Sequence, residues 1–364
     1  MDVSPETEWL SAHFADAPSI FTTSPLYRSL CPVVARDPLS LRLLTRRRAG
    51  QQPSYLFFGA VHYLLLSGTQ HQLRVFYPSV IGGTAARGQD AGPALLDFVR
   101  TYEDELDELI RTRLVQTNVV RRACGLLIIL RAVKRRCDQP VHLIEVGASA
   151  GIHLHFDRYR YQVDGRTFGR RESSVNIETL WHGRQPPPDL DDLPPISSRT
   201  GVDLHPVDVT DQAARLWLRA LVWPENHQEA ALLDAALESI AGEPPAIVAG
   251  DAIDICPRLG RQLPAGEPRV VFHFATRMHV PLGRQAAFDA AIDSIAATGP
   301  LYHAWLEPPS ARHAGLPPAG PQALAMHGPD GDTLLALAEV GGHLEWVRPL
   351  DDQASTGIPR AARA

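Results

Sequence analysis

The sequence predicts an α/β fold in which a Rossmann-like, largely parallel sheet follows an all-helical N-terminal extension. Three observations predict it. Val141-His142-Leu143-Ile144-Glu145-Val146 is a short apolar, β-branched run that leads into the small-residue turn Gly147-Ala148-Ser149-Ala150-Gly151, the strand–turn–helix entry of α/β folds. Beyond this turn, apolar strand-like runs alternate with helix-like ones, ending in a hairpin pattern. Before it, apolar residues recur at helical spacing and no hairpin signal occurs before residue 140.

In the N-terminal part, Glu6 to Phe14 and Leu26 to Leu44 carry helical periodicity, and Ser24-Pro25 is a start signal for the second run. Pro53 precedes Tyr55 to Leu66, apolar on nearly all sides, which predicts a helix buried at the centre of its domain and ended by Gly68. Gly82 to Gly92 reads as a connection, followed by two long helices, Pro93 to Leu114 with an acidic face and Thr117 to Arg136 with basic residues around Leu126 to Leu130. Charge runs of this kind are ordinarily solvated faces.

In the second part, Tyr159 to Val163 meets the turn dipeptide Asp164-Gly165, and Ser174 to Trp181 reads as a strand. The Pro- and Asp-rich stretch Gln185 to Pro195 is a loop. Gly201 to Asp208 reads as a strand end, Thr210-Asp211 caps a helix through Leu221, and Glu225 to Ile240 is a further helix. Strands follow at Pro245 to Ala252, Arg269 to Phe274 and Leu301 to Glu307, with a helix at Arg284 to Ala296. Thr333 to Val340 and Leu344 to Pro349, joined by Gly341-Gly342, form the closing hairpin.

Composition excludes several classes. The chain has 364 residues, 45% hydrophobic and 21% charged, with a formal charge of −6. That is an ordinary globular balance, with no general attraction to nucleic acid. Cys31, Cys124, Cys137 and Cys256 form no C-x-x-C pair, so reduced thiols are expected. The N-terminus shows no signal-peptide pattern and no apolar run is long enough to span a membrane, so a cytoplasmic protein is expected. Lys134 is the only lysine, which leaves little scope for Schiff-base chemistry. His153-x-His155 would diverge on a helix, and no metal site is expected.

The turn at 147–151 supports two readings. Glu145-x-Gly147-x-Ser149-x-Gly151 resembles the acidic-glycine loop of S-adenosylmethionine-dependent methyltransferases. That resemblance implies a seven-stranded methyltransferase-type sheet over residues 139–364 behind a helical cap domain at 1–138. It also implies that main-chain amides beside Gly147 are left bare for the cofactor, with Gly147, Ala148, Ser149 and Gly151 lining it and Glu145 orienting the loop or the cofactor amine. Asp203, with Asp164 as rival, would take the ribose hydroxyls, and Asp251, in Gly250-Asp251-Ala252, would accept from the adenine amino group. Gly147-x-Ser149-x-Gly151 also matches the nucleophile elbow of α/β-hydrolases. Ser149 would then be the nucleophile, with Asp251 or Glu307 and His303, His313 or His327 downstream. Against this reading, the preceding sequence is helical and lacks an HGGG-type segment.

Ser24-Pro25-Leu26-Tyr27, Ala60 to Leu66, Tyr77-Pro78-Ser79, Gln116-Thr117-Asn118, Glu145 to Gly151, Asp157 to Tyr161, Leu218 to Pro224 and Gly250-Asp251-Ala252 together resemble the bacterial domain-of-unknown-function family 2332. The resemblance implies a methyltransferase-like fold and names no substrate. The chain departs from the family pattern at Val119, commonly Glu, at His153, commonly Asn, and at Phe274, commonly a small residue; if those positions line the site, the resemblance implies a changed substrate or loss of the ancestral chemistry. The expected function is methyl transfer from S-adenosylmethionine to a small molecule enclosed between helices and sheet, with S-adenosylmethionine binding for sensing or non-methyl chemistry as the alternative. His273, His279 and Glu307, at or beyond strand carboxyl ends, are the candidate catalytic bases. Tyr27, His62, Tyr77 and His153 are candidate substrate contacts. A hydrogen-bonded core role for His62 is the competing reading.

Overall fold

The computed structural model describes residues 4–83, 91–308, 322–330 and 334–350. In chain order the helices are α1 (Pro5–Asp16), α2 (Pro25–Val34), α3 (Pro38–Leu44), α4 (Pro53–Leu66), α5 (Pro78–Ile81), α6 (Gly92–Thr101), α7 (Glu103–Thr112), α8 (Arg122–Lys134), α9 (Gln212–Ala220), α10 (His227–Ala241), α11 (Ala252–Gln262) and α12 (Leu282–Asp293). The strands are β1 (Val141–Val146), β2 (Arg160–Val163), β3 (Arg166–Gly169), β4 (Asn176–Trp181), β5 (Ile196–Asp203), β6 (Ile247–Ala249), β7 (Arg269–Phe274), β8 (Leu301–Glu307), β9 (Gln322–His327), β10 (Leu334–Val340) and β11 (Trp346–Pro349). Short 3-10 segments occur between them, among them Ile152–Arg158 and Arg277–His279.

The chain forms two compact units, residues 1–117 with 211–234, and residues 118–210 with 235–364. The first unit is helical. Each of α1 to α5 begins with proline, whose fixed φ and missing N–H suit a first helical position. Ser4, Ser24 and Asp37 cap α1, α2 and α3 through side-chain oxygens. Helix α4 is buried along most of its length, as its unbroken apolar run requires. Trp217 and Leu221, from the second segment, belong to the same core as Phe57, Phe58 and Leu95.

The second unit holds one 11-stranded sheet in the order β3-β2-β4-β11-β10-β9-β8-β7-β1-β5-β6. The seven-strand expectation is corrected here. Strand β9 pairs antiparallel with β8 and β10, and β11 pairs parallel with β4, which joins the β2–β3 hairpin to the main sheet. The stretch from β6 to β8 is all parallel. Strands β1, β7 and β8 are buried at every residue, which explains their near-continuous apolar sequences.

Within the parallel stretch, strand order reverses between β1 and β7: β5 and β6 lie on one side of β1 and β7 and β8 on the other, while the intervening β2 to β4 join the sheet beyond β11. Such a switch point is where open α/β sheets bind ligands, beyond the strands' carboxyl ends. No helix among the described residues is long and apolar enough to cross a membrane.

Candidate functional site

The turn after β1 is shaped by positive φ at Gly147 (78°), Ser149 (50°) and Gly151 (68°). A serine in this region is unusual, and its neighbours hold it there. The Ser149 amide donates to Asp203 Oδ2 at 2.8 Å, and Ser149 Oγ accepts from Asn118 Nδ2 at 3.0 Å. The amides of Gly147 and Ala148 both donate to the Val202 carbonyl, at 2.8 and 3.2 Å. The expectation of bare amides beside Gly147 is therefore not met, because the end of β5 accepts all three. The glycines are also spoken for. A Cβ on Gly147 would stand 2.3 Å from Thr276 Oγ1, and one on Gly151 would stand 2.4 Å from Pro245 Cγ. Their missing side chains let the loop pack against its own unit.

Two carboxylate–imidazole pairs flank the switch point. Glu145 Oε1 lies 2.7 Å from His153 Nδ1, and His153 Nε2 lies 3.0 Å from the Val119 carbonyl. A carbonyl can only accept, so Nε2 carries a proton. Glu145 Oε2 is buried without a partner. Burial raises the Glu145 carboxyl; the adjoining His153 opposes this and Asp203 adds to it.

In the second pair, His273 Nδ1 lies 2.8 Å from Glu307 Oε1, which also accepts from the amides of Thr276 and Arg277 at 2.8 Å each. Met278 donates to Oε2 at 3.3 Å. Burial would raise the Glu307 carboxyl, but the His273 bond and charge and the two amides outweigh it and hold it below its ordinary range. The pairings Glu145 with Phe272 and His273 with Trp305 put the two glutamates on opposite faces of the sheet. Their environments push their pKa values apart, a pattern common in acid–base sites. His279 closes the 3-10 turn after β7 and is exposed, and partial desolvation lowers its pKa.

Asp251 stands after β6, where its Oδ1 caps α11 through the Ile253 amide at 3.0 Å and its Oδ2 meets Arg284 at 2.9 Å. Ala252 begins that helix and is buried. Asp203 Oδ1 accepts from the His205 amide at 2.8 Å. Asp164 sits at φ 50° in the β2–β3 hairpin turn.

The fit to S-adenosylmethionine is thus divided. The orphaned Glu145 oxygen suits an ammonium group, whereas both Asp203 oxygens accept backbone amides and Asp251 is shared between the α11 cap and Arg284. Gly147 and Gly151 offer no open cradle.

For the hydrolase reading, Ser149 Oγ is held by an amide where a triad needs an imidazole. His303 and His327 lie opposite each other on β8 and β9, while His313 lies outside the described residues.

In the helical unit the structure brings Tyr27, His62 and Tyr77 together. The Tyr77 ring centroid is 6.3 Å from that of Tyr27 and 5.4 Å from that of His62. Both tyrosine hydroxyls are buried without partners, and burial raises both phenols. His62 bonds the Ala220 carbonyl at 2.9 Å and Ser79 Oγ at 2.7 Å, and burial pulls its pKa to about 3. It is a satisfied core histidine, poorly suited to act as a base near neutral pH. Two surface hollows of about 380 and 390 Å³ line this unit at Trp9, His13 and Ile20 and at Leu64, Glu105 and Leu109, away from these three side chains. Among the described residues no three His, Cys, Asp or Glu side chains form a metal-binding cluster.

Sequence reasoning missed Asn118 and Thr276 as loop-holding residues. Asn118 lay in a quoted motif, but nothing local signals contact with Ser149 some 30 residues on.

Fold and site define an α/β protein that gathers carboxylates and imidazoles at the carboxyl ends of a mostly parallel sheet. The chain belongs to the family described as "Uncharacterized protein conserved in bacteria (DUF2332)", whose model matches residues 12–348. No curated protein matches it. Val119, His153 and Phe274 meet in space. His153 bonds the Val119 carbonyl at 3.0 Å, and its ring lies 5.3 Å from that of Phe274.

Proposed function

We propose that this protein binds S-adenosylmethionine at the carboxyl ends of β1, β5 and β6 and transfers its methyl group to a small-molecule acceptor. The observation that carries the reading is the succession Glu145, Asp203 and Asp251 at the ends of three neighbouring parallel strands, starting where the order reverses. Bound cofactor would supply an activated methyl group with its leaving group built in. The chain's own share is positioning and proton handling. Glu145 Oε2 would receive the cofactor ammonium, Asp203 the ribose and Asp251 the adenine amino group. With Nδ1 donating to ionised Glu307, His273 keeps Nε2 as its basic atom, and His279 is the more exposed candidate base.

A second reading, binding without methyl transfer, is favoured by one contact. The His153 imidazole already occupies one oxygen of Glu145. Calorimetry with S-adenosylmethionine and S-adenosylhomocysteine tests both readings. Saturable one-to-one binding is expected, weakened about tenfold, or ~1.4 kcal/mol, by Glu145→Gln. Absence of binding for either nucleoside would sink both readings. Binding with no methylated product from any acceptor would leave the second.

A further inference from the structure

Arg122 opens α8 within a basic run that reads in sequence as a solvated face, yet it is only 7% exposed. Among the described residues its guanidinium makes one hydrogen bond, from Nη2 to the Gly342 carbonyl at 3.2 Å, and its Nε is buried without a partner. The unit's other buried arginines are better served. Arg277 holds Asp289 with two bonds of 2.9 Å, and Arg269 is wrapped by the carbonyls of Pro264 and Glu267 and by Thr298 Oγ1. Among the described residues no carboxylate forms an ion pair with Arg122.

The acids whose charge it feels are Glu307 and Glu345. Glu307 is committed to His273 and three amides, and Glu345 accepts from the His343 amide. Burial lowers the Arg122 pKa only to about 10, so the group stays cationic at neutral pH. It also sits in the first turn of a 13-residue helix, where the helix dipole disfavours a cation. The amides of Arg122, Ala123 and Cys124 are already bonded to Val119, Val120 and Arg121, so the donor on offer is the guanidinium itself. A buried, planar, under-bonded fork is matched chemically by a carboxylate.

We infer that Arg122 receives the carboxylate of a small-molecule ligand through its under-bonded guanidinium. Assigning that carboxylate to a methyl acceptor rests on the function proposed above; the anion site itself does not. The alternative source is the amino-acid end of the cofactor.

Thermal unfolding of the full chain tests the inference. Wild type, Arg122→Gln and Arg122→Lys are compared in acetate, succinate, benzoate and phosphate, each against chloride at equal ionic strength, and with S-adenosylhomocysteine and 5′-methylthioadenosine, which lacks the carboxylate. At least one carboxylate should raise the wild-type midpoint beyond chloride, part of the rise surviving in Arg122→Lys and none in Arg122→Gln. The ligand-free Gln variant should unfold no lower than wild type, because it removes an unpaired buried charge.

A homocysteine-nucleoside shift lost in Arg122→Gln, with the methylthioadenosine shift kept, supports the inference with the cofactor as source. Failure of both nucleosides to bind removes the proposed function but leaves the carboxylate comparison standing. Equal carboxylate shifts in wild type and Arg122→Gln, no shift by any carboxylate-bearing probe, or a phosphate-only shift would overturn it. So would a ligand-free Gln variant that unfolds well below wild type while Lys does not, which marks a purely structural charge.

Discussion

His155 shows at the residue scale what a buried titratable group does when nothing satisfies it. It is 7% exposed with neither ring nitrogen partnered. Burial, then the charges of Arg158 and Arg199, pull its pKa from 6.5 to about 4. Between those values the unfolded chain binds more protons than the folded one, so stability falls as pH drops from 6.5 towards about 4. His62 adds the same sign over a window reaching down to about 3. His155→Leu is therefore expected to be neutral or stabilising by about 1 kcal/mol at neutral pH, since an unsatisfied buried polar group costs about 1–3 kcal/mol. Urea midpoints measured at about pH 7 and about pH 4.5 should differ less in this variant than in wild type. An unchanged difference would show that His155 is not one of the groups responsible.

At the scale of elements, the β1 turn is a packing device. Gly147→Ala places a Cβ against Thr276 Oγ1 and Cγ2 and keeps φ at 78°, so a loss of about 2–4 kcal/mol is expected. Thr276→Ala removes the two closest contacts but leaves its own Cβ at 2.9 Å and the backbone strain untouched, so the double variant should recover about 1–2 kcal/mol relative to additivity. Chemical denaturation of the four proteins measures that coupling, and strict additivity would mean that Thr276 does not fill the glycine's space.

The elements themselves were unevenly legible. Strands β7 and β8 match their apolar runs residue for residue, and the Asp164-Gly165 and Gly341-Gly342 turns mark real hairpins. Strand β9 was missed because Gln322 to His327 is alanine-rich, and its strand character comes from the partners on either side. The run read as one helix from Pro93 to Leu114 is two, α6 and α7, parted at Tyr102. In the site, Glu145, Asp203 and Glu307 were legible as acids at strand ends. Their pairing with His153, Ser149 and His273 was not, because the Asp203 and Glu307 contacts join residues 54 and 34 apart and the Glu145 contact depends on how the chain turns back after the glycine loop.

At the scale of the whole molecule, the least legible feature is that residues 211–234 belong with residues 1–117. Local patterning gives helix α9 but not its allegiance. The attachments are specific. Trp217 Nε1 donates to the Leu114 carbonyl at 2.7 Å, and the Ala220 carbonyl meets His62 at 2.9 Å. Glu225 accepts from Ser24 Oγ at 2.7 Å and from the Leu26 amide at 2.9 Å. Leu221 packs against Gly59, where an added Cβ would come within 2.9 Å of it. A fragment ending at residue 138 lacks all of these and leaves His62 and the Phe58 core open. It is expected to keep helical far-ultraviolet circular dichroism, lose its near-ultraviolet signal and bind a hydrophobic dye, the signs of secondary structure without fixed packing. Joining residues 1–117 to 211–234 through a Gly/Ser linker should restore cooperative urea unfolding, and Glu225→Ala in that fusion should cost about 1–3 kcal/mol, as expected when buried donors lose a carboxylate. Cooperative unfolding of the 1–138 fragment by itself, with a native-like near-ultraviolet spectrum, would show that the second segment is an accessory to the helical core and not part of it.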